Sequence, residues 1–500
     1  MNWIPGMKHV VSAFFWTLIL TFPAVNAISQ IHQGENLKMN FIPIQPGDTP
    51  AEILEKASHI VPSQRQFEWQ EMEFIAFTHF GMNTFSNREW GEGTDAPALF
   101  NPYDLDADQW ARVIHDAGMK MIILTARHHD GFCLWPSRWT DYSVLKSNWR
   151  NGKGDVVKEV SDACHKYGLK FGIYLSPWDR HEPFYGNSPR YNEFFRNQLR
   201  ELLTNYGKIS EVWFDGACGE GANGKKQVYD WPSYYHVIRD LQPDAVIAIM
   251  GPDVRWVGTE SGTGRETEWS VLPDVVGNTD SIAASSQQIP MDSAFIPRNF
   301  MDQDLGGRDK IMKANNLFWY PAETDVSIRP GWFYHPEEDS LVKSPERLVD
   351  IYFSSVGMNS VLLLNIPPNK HGRIQDQDVK SLAGMRKILD ETFRNDLVLA
   401  AGSRSSKNAY EYSLGFPQRF NVALLQEEIT QGQRIEKFRI EYLDGKEWKV
   451  CASGTTVGYK RLLRFKEVSA TEIRLVIESS RGTAIIKSFG VYHMEMKNQE

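Results

Sequence analysis

EVWFDG, residues 211–216, is a short apolar run that ends at an acidic residue, Asp215, directly before a glycine. An amphipathic helical pattern follows at 230–241, and the same succession of apolar run and helical pattern occurs around 120–132 and 169–178. Continuous apolar runs that alternate with helices are typical of a parallel sheet covered on both faces. The fold is therefore predicted to belong to the α/β class.

Apolar runs of strand length recur through the middle of the chain. They lie at 74–81, 120–132, 169–178, 211–216, 245–251, 254–258, 317–323 and 360–368. Eight such runs fit a (β/α)8, TIM-like barrel better than an open doubly wound sheet. No G-x-G-x-x-G motif follows the first run, so a dinucleotide-binding fold has no support.

The pattern changes after about residue 396, where apolar and polar residues alternate between Asp-Gly, Ser-Gly and Arg-Gly turns. This alternation predicts an antiparallel β-sandwich. We expect the sandwich to brace the barrel, because no exposed aromatic row is evident in it; carbohydrate binding is the alternative. The predicted parts are a signal peptide at 1–27, a lead-in segment at 28–66, a catalytic barrel at 67–395 and the β-sandwich at 396–500.

Composition narrows the class of protein. A chain of 500 residues predicts two or three domains. The net charge of −9 argues against a nucleic-acid backbone or an anionic membrane surface as a partner. The 16 tryptophans either fill the core or offer flat faces on which sugar rings stack. The four cysteines are scattered without C-x-x-C spacing, which indicates neither a disulfide framework nor a structural zinc site.

The N-terminus has the pattern of a secretory signal. Lys8 and His9 precede an apolar stretch at 10–22, and small side chains stand at Val25 and Ala27. The stretch is too short to span a membrane, and no later segment is long and apolar enough to do so. We therefore expect cleavage after Ala27 and export to the periplasm or the extracellular space.

Polar side chains follow the apolar runs at their carboxyl ends. They are His79, His128, His129, Tyr174, Asp215, Glu260 and Glu323. A barrel brings these strand ends together around one pocket. The alternative is that they cap the following helices, but histidine and tyrosine are poor helix caps.

Several motifs, in order along the chain, carry a likeness to one family. They are THFGMNTF (78–85), EWG (89–91), LTARHHDGFCLWPS (124–137), GIYLSPWDRH (172–181), VWFDG (212–216), RWVGTE (255–260) and RPGWFYH (329–335). Together they resemble the glycoside hydrolases of family 29, which are α-L-fucosidases, over about residues 67–368. RWVGTE further resembles the branch of the family specific for α-1,3- and α-1,4-linked fucose on branched, Lewis-type glycans.

The resemblance implies a retaining exo-α-L-fucosidase that acts by double displacement, and the N-terminal pattern implies that it is exported. Such enzymes need two carboxyl groups, one that attacks and one that donates a proton. Asp215 matches the nucleophile of the family, and Glu260 matches the proton donor of the branch. Glu266 and Glu268 remain alternatives for the acid/base, because a glycine-rich loop can bring any of the three inward.

The resemblance also implies a set of sugar-binding residues and a fucosylated oligosaccharide or glycoconjugate as substrate. The set is His79, Glu89, Trp90, His128, His129, Tyr174 and Trp213. Trp332 is the expected apolar wall for the C5 methyl group of fucose, and Arg255 is expected to pair with a carboxylate of the site. We expect neither a metal nor an organic cofactor.

Three other functions fit parts of the pattern. A broad-specificity α-L-fucosidase would share every motif except the linkage preference. A non-catalytic protein that binds fucosylated glycans would have lost a carboxylate, yet both are present. A metal-dependent barrel hydrolase would use His79, His128, His129 and Asp215 as ligands. Adjacent histidines on one strand point to opposite faces, however, unless the chain turns between them.

Overall fold

The computed structural model describes residues 39–286, 303–399, 401–406 and 408–495. The predicted signal peptide and the first part of the predicted lead-in segment lie outside the described residues. The strands are β1 Phe41–Pro43, β2 Phe74–Thr78, β3 Met121–Arg127, β4 Lys170–Leu175, β5 Glu211–Phe214, β6 Val246–Ile249, β7 Arg255–Trp256, β8 Val271–Pro273, β9 Asn316–Trp319, β10 Ala322–Ser327, β11 Ser360–Asn365, β12 Gly402–Ser405, β13 Ala409–Glu427, β14 Ile435–Asp444, β15 Glu447–Gly454, β16 Arg461–Ser480 and β17 Ile486–Tyr492. The α-helices are α1 Pro50–His59, α2 Gln64–Gln70, α3 Met82–Ser86, α4 Ala107–Asp116, α5 Val156–Tyr167, α6 Ser188–Asn205, α7 Trp231–Leu241, α8 Thr279–Ser286, α9 Arg308–Ile311, α10 Pro345–Ser355 and α11 Asp376–Thr392.

Eight parallel strands form a nearly closed barrel in the order β6-β5-β4-β3-β2-β11-β10-β7. β2 and β11 are the first and last strands of the barrel along the chain, and they pair directly, from Phe74 opposite Leu362 to Phe77 opposite Asn365. Between β6 and β7 a single bridge joins Ala248 to Val254. The predicted barrel is confirmed.

The local sequence explains why helices and strands alternate. Every residue of β3 and β5 is buried, as expected for strands covered on both faces. Aspartates begin three of the helices by accepting a backbone N–H: Asp106 for α4, Asp155 for α5 and Asp230 for α7. The α5 helix ends at Gly168, whose φ of 69° lies in the left-handed region that favours glycine.

Two details of the barrel differ from the prediction. The loop 250–254 joins β6 to β7 directly, without a helix. The run at 317–323 is not one strand, because Pro321 separates β9 from β10 and proline cannot donate to a sheet ladder. β9 pairs with β1 and β8 in a small antiparallel sheet, whereas β10 is the barrel strand.

The prediction that Glu323 stands at the carboxyl end of a strand is therefore wrong. Glu323 is the second residue of β10 and is completely buried, so it does not stand at the carboxyl end of a strand. Its carboxylate accepts a hydrogen bond of 2.7 Å from Nε1 of Trp213 in the barrel interior.

The last six strands form an antiparallel sheet in the order β12-β13-β16-β14-β15, with β17 paired to β13. The long strands β13 and β16 change register between Ser413 and Gln418 and again between Phe420 and Val422. Such irregularities bend a strand. Buried side chains from both parts of β13 share one apolar core with β14, β16 and β17, which confirms the antiparallel β-structure predicted for the C-terminal part of the chain.

The predicted boundaries at 66/67 and 395/396 stay predictions. The structure places the first inside α2 and the second between α11 and β12. In the part of the chain that is described, no helix has both the length and the apolar content needed to cross a bilayer.

Candidate active site

A pocket opens at the carboxyl ends of the barrel strands. The described residues that line it are Phe77, His79, Glu89, Trp90, His128, His129, Tyr174, Trp213, Asp215, Gly216, Ala217, Ile249, Trp256, Glu260, Ser286, Asp325 and Trp332. Both predicted catalytic carboxyl groups and all but one of the predicted binding residues are therefore in one cavity.

Asp215 follows the last residue of β5 and faces the pocket with a side chain that is 22% exposed. One carboxylate oxygen accepts a hydrogen bond of 2.7 Å from the backbone N–H of Ala217, and the other accepts one of 2.9 Å from the hydroxyl of Tyr174. These two donors stabilise negative charge and fix the direction of the carboxylate. The group is oriented as a nucleophile needs to be.

Glu260 lies on the loop after β7, at the mouth of the same pocket. Nε1 of Trp332 donates a hydrogen bond of 3.2 Å to its carboxyl group. Part of the Glu260 side chain is open to solvent, but protein atoms around the carboxyl group displace water from it. This desolvation is the largest cause that raises the pKa of Glu260, to about 7. The negative charges of Asp215 and Glu89 raise it further, and the hydrogen bond from Trp332 opposes them. A carboxyl group with this pKa is protonated for much of the time near neutral pH.

His128 and His129 both face the pocket because β3 ends at Arg127 and the chain turns after it. Nδ2 of Asn83 donates to the backbone carbonyl of Glu89 and to Nδ1 of His128, so the proton of His128 is on Nε2. Burial holds the pKa of His128 well below its usual range. The ring is therefore neutral and offers an N–H donor.

His129 has the opposite tautomer. The hydroxyl of Ser176 donates to the carbonyl of Trp178, so its oxygen accepts a hydrogen bond of 2.7 Å from Nδ1 of His129. Nε2 of His129 is then an acceptor, 3.7 Å from the Asp215 carboxylate. Burial lowers the pKa of His129, and the charge of Asp215 opposes that shift.

His79 stands just after β2. Its backbone N–H and its Nδ1 both contact Oδ1 of Asn365, at 3.1 Å and 2.9 Å. Burial is the main cause that lowers the pKa of His79 to about 3, so the ring is neutral at any pH at which the enzyme is expected to work. Three neutral imidazoles in one pocket provide both donors and acceptors for sugar hydroxyls.

Glu89 holds the loop that carries Trp332. Its two carboxylate oxygens accept hydrogen bonds from the backbone N–H groups of Trp332 and Phe333, at 2.8 Å and 3.1 Å. His335 contacts the same carboxylate at 2.7 Å. Glu89 therefore fixes the position of the tryptophan that donates to Glu260.

Aromatic rings cover the inner end of the pocket. Tyr174 stacks on Trp213 with ring centroids 5.3 Å apart, and Phe77 lies 5.1 Å from Trp213 and 6.2 Å from Trp332. Trp90 stands at the rim, 51% exposed, with its ring nearly perpendicular to that of His129. The pocket thus combines an apolar wall with polar groups on the other sides.

Three predicted or alternative residues lie elsewhere. Arg255 is buried against Tyr320 and pairs with Glu268, which does not line the pocket, so the prediction that it pairs with a carboxylate of the site is wrong. Glu268 is itself buried between Arg255 and Arg265. The exposed side chain of Glu266 does not line the pocket. Of the three candidates for the acid/base, Glu260 alone is among the residues that line the cavity.

Sequence reasoning missed Trp256 and Asp325. Nε1 of Trp256 donates a hydrogen bond of 2.8 Å to Asp325, and both side chains line the pocket. Burial, followed by the charge of Glu260, raises the pKa of Asp325 well above its usual range. The available signal was the alternation of β10, which puts Asp325 and Ser327 on the same face. The sequence analysis did not use this alternation, because it ended the predicted strand at residue 323 and so left Asp325 outside it.

The arrangement fits acid–base chemistry at a pair of carboxyl groups. One, Asp215, is held by two donors, and the other, Glu260, has a pKa raised to about 7 and so keeps its proton for part of the time near neutral pH. Two carboxyl groups with different pKa values are the pair that glycoside hydrolases use. Over the described ranges, no three His, Cys, Asp or Glu side chains are grouped so that they could hold a metal ion.

Comparison with known proteins adds independent information. A family model described as α-L-fucosidase matches residues 55–392. Alpha-L-fucosidase 1 of Arabidopsis thaliana is 40% identical over 515 residues, which cover 95% of this chain and 93% of that protein.

Two solved structures show the same fold. A glycoside hydrolase 29 family member from an unknown rumen bacterium has a TM-score of 0.78 at 42% identity, covering 88% of this chain and 78% of that chain. A family 29 fucosidase from Ruminococcus gnavus in complex with fucose has a TM-score of 0.75 at 30% identity, covering 92% and 98%.

Proposed function

Because this chain belongs to the α-L-fucosidase family, glycoside hydrolase family 29, we propose that it is a retaining exo-α-L-fucosidase of α-1,3- and α-1,4-linked fucose on Lewis-type glycans. That it is a glycoside hydrolase with the α-L-fucosidase activity of the family follows from the comparisons. The linkage, the stereochemical course and the export of the enzyme are the proposed parts.

The observation that carries the proposed catalytic pair is that Asp215 and a second carboxyl group, Glu260, whose pKa is raised to about 7, line the same pocket. The retaining course is proposed from membership of the family. In the first step Asp215 attacks the anomeric carbon, while Glu260 gives its proton to the departing glycosidic oxygen. In the second step Glu260 takes a proton from water, whose oxygen attacks the same carbon and releases Asp215. Two inversions give net retention.

The pocket suits a single terminal fucose. His79 and His129 each present an unprotonated ring nitrogen, which can accept a hydrogen bond from a ring hydroxyl of the sugar. His128 presents an N–H, which can donate one to a hydroxyl oxygen. Phe77, Trp213 and Trp332 form the apolar side expected for the C5 methyl group. The Ruminococcus gnavus relative was solved with fucose bound, which supports fucose as the sugar held here.

The linkage is tested with a panel of fucosylated oligosaccharides. We expect kcat/KM for α-1,3- and α-1,4-fucosylated Lewis trisaccharides to exceed that for an α-1,2-linked fucosyl disaccharide by about 100-fold, because the proposed site would bind the branching sugar in the transition state. Free fucose is measured in each reaction. Comparable values for all linkages would support the broad-specificity alternative, and binding without any release would support a non-catalytic glycan-binding protein.

Export is proposed from the sequence at 1–27. The mature protein recovered from the periplasm or the medium is expected to begin at Ile28. N-terminal sequencing of that fraction is the measurement, and a cytoplasmic protein that keeps residues 1–27 would contradict the proposal.

A further inference from the structure

We propose that Asn365 is a positioning residue for this reaction: it holds His79 in the tautomer whose Nε2 accepts a hydrogen bond from a hydroxyl of the bound sugar. The inference rests on the function proposed above, because it makes His79 a contact of the substrate. Asn365 is the last residue of β11, is completely buried and does not line the pocket. It therefore acts through its neighbour.

The orientation of the Asn365 amide is fixed by two backbone groups. Its Oδ1 lies 3.1 Å from the backbone nitrogen of His79, which can only donate. Its Nδ2 lies 2.7 Å from the backbone carbonyl of Trp332, which can only accept, and 2.9 Å from the hydroxyl of Ser327. A flipped amide would put donor against donor and acceptor against acceptor, so the oxygen must face His79.

The tautomer of His79 follows from that orientation. Nδ1 lies 2.9 Å from the same Oδ1, and an amide oxygen can only accept, so Nδ1 carries the proton. Nε2 then has a free lone pair, and within the described residues it has no hydrogen-bond partner in the protein. His79 is only 4% exposed and lines the pocket, so a hydroxyl donor of the substrate is the partner that the cavity supplies.

The surroundings keep the ring neutral. The titratable groups packed on it are His128, with ring centroids 5.6 Å apart, and Tyr174 at 6.0 Å, and His129 acts on it electrostatically. None of them carries a negative charge at neutral pH that would stabilise an imidazolium. Burial is the main cause of the low pKa of His79, about 3, and the contact with Asn365 opposes it only in part.

The test is a double-mutant cycle of wild type, Asn365→Leu, His79→Ala and the double variant, read as the dissociation constant of L-fucose. Asn365→Leu releases the imidazole to take either tautomer, and we expect about tenfold weaker binding. In the His79→Ala background the same substitution should weaken binding by less than about twofold, because the interaction it supports is already absent. Equal losses in both backgrounds would overturn the proposal.

Asn365→Asp keeps the proposal testable if the leucine variant does not fold. The aspartate still accepts from His79, but its negative charge raises the pKa of the imidazole. A protonated Nε2 cannot accept, so the affinity of this variant for fucose should fall as the pH decreases from about 7 to 5, whereas that of the wild type stays constant. The same pH-independent affinity in both proteins would contradict the tautomer role.

Asn421→Leu is the matched control. Asn421 is another buried asparagine, in β13, and both of its amide atoms bond to the backbone of Met494, so its loss should lower Tm without changing fucose affinity. The outcomes also separate the two proposals. A wild type that neither binds fucose nor cleaves fucosides refutes the proposed function, whereas an active wild type with an additive cycle refutes only the role of Asn365.

Discussion

Asp215→Ala is expected to lower kcat/KM on a Lewis-type trisaccharide by about 10⁴-fold or more, because no other group can form the glycosyl ester. The substitution removes the carboxylate that Tyr174 and Ala217 hold toward the pocket. Sodium azide should restore part of the turnover on an activated aryl fucoside, since a small anion can attack the anomeric carbon from the vacated face. The product would then be a fucosyl azide of inverted configuration, which proton NMR identifies.

Asp230→Ala is the matched control for this loss. Asp230 also follows the β5 segment, but it begins α7 by accepting the backbone N–H of Ser233. Its removal should lower the free energy of unfolding by about 1 kcal/mol and leave kcat/KM nearly unchanged. If Asp215→Ala behaved in the same way, with slightly lower stability and full activity, Asp215 would be only a cap and the proposed nucleophile would be wrong.

The loss of kcat/KM caused by Glu260→Gln is expected to depend on the leaving group of the substrate. On a trisaccharide, whose departing sugar alkoxide needs a proton, kcat/KM should fall by about 10³-fold. On 4-nitrophenyl α-L-fucoside, whose leaving group departs without protonation, kcat/KM should fall by less than about tenfold. Comparison of the two substrates separates a lost acid from a damaged pocket, because a damaged pocket lowers both values together.

The pH dependence gives a second readout for Glu260. The first step needs its proton, and the protein atoms around its carboxyl group raise its pKa to about 7, so the wild-type kcat/KM should decrease as the pH rises through about 7. In Glu260→Gln that alkaline decrease should disappear. Glu266→Gln is the control, because Glu266 does not line the pocket, and it should keep the wild-type profile. A profile lost in Glu266→Gln instead would move the acid/base role to that residue.

Several parts of the site could be predicted because they depend on short-range patterns. Asp215 directly follows a buried strand, and His79 and the pair His128 and His129 follow two others. In a parallel barrel the carboxyl ends of the strands must meet, so residues at those ends share a pocket whatever the details of packing. The motifs that resemble family 29 lie at these same positions.

Other parts depended on how a short strand is oriented. β7 has only two residues, and side chains alternate across a strand. Trp256 therefore faces the pocket, while Arg255 turns away to Tyr320 and Glu268. No spacing in the sequence shows which of the two adjacent residues faces inward, and the wrong one was predicted.

By itself the sequence determined the α/β barrel, the C-terminal antiparallel sheet and the place of Asp215, the proposed nucleophile, at a strand end, because periodicity and strand ends are local properties of the chain. Only the tertiary structure separated Glu260 from Glu266 and Glu268, since the path of a loop depends on contacts with distant residues such as Trp332. The tautomer of His79 was likewise decided by Asn365, which is 286 residues away in the chain and adjacent in the barrel. Proton positions and pKa values depend on burial and on neighbouring charges, and folding alone brings those together.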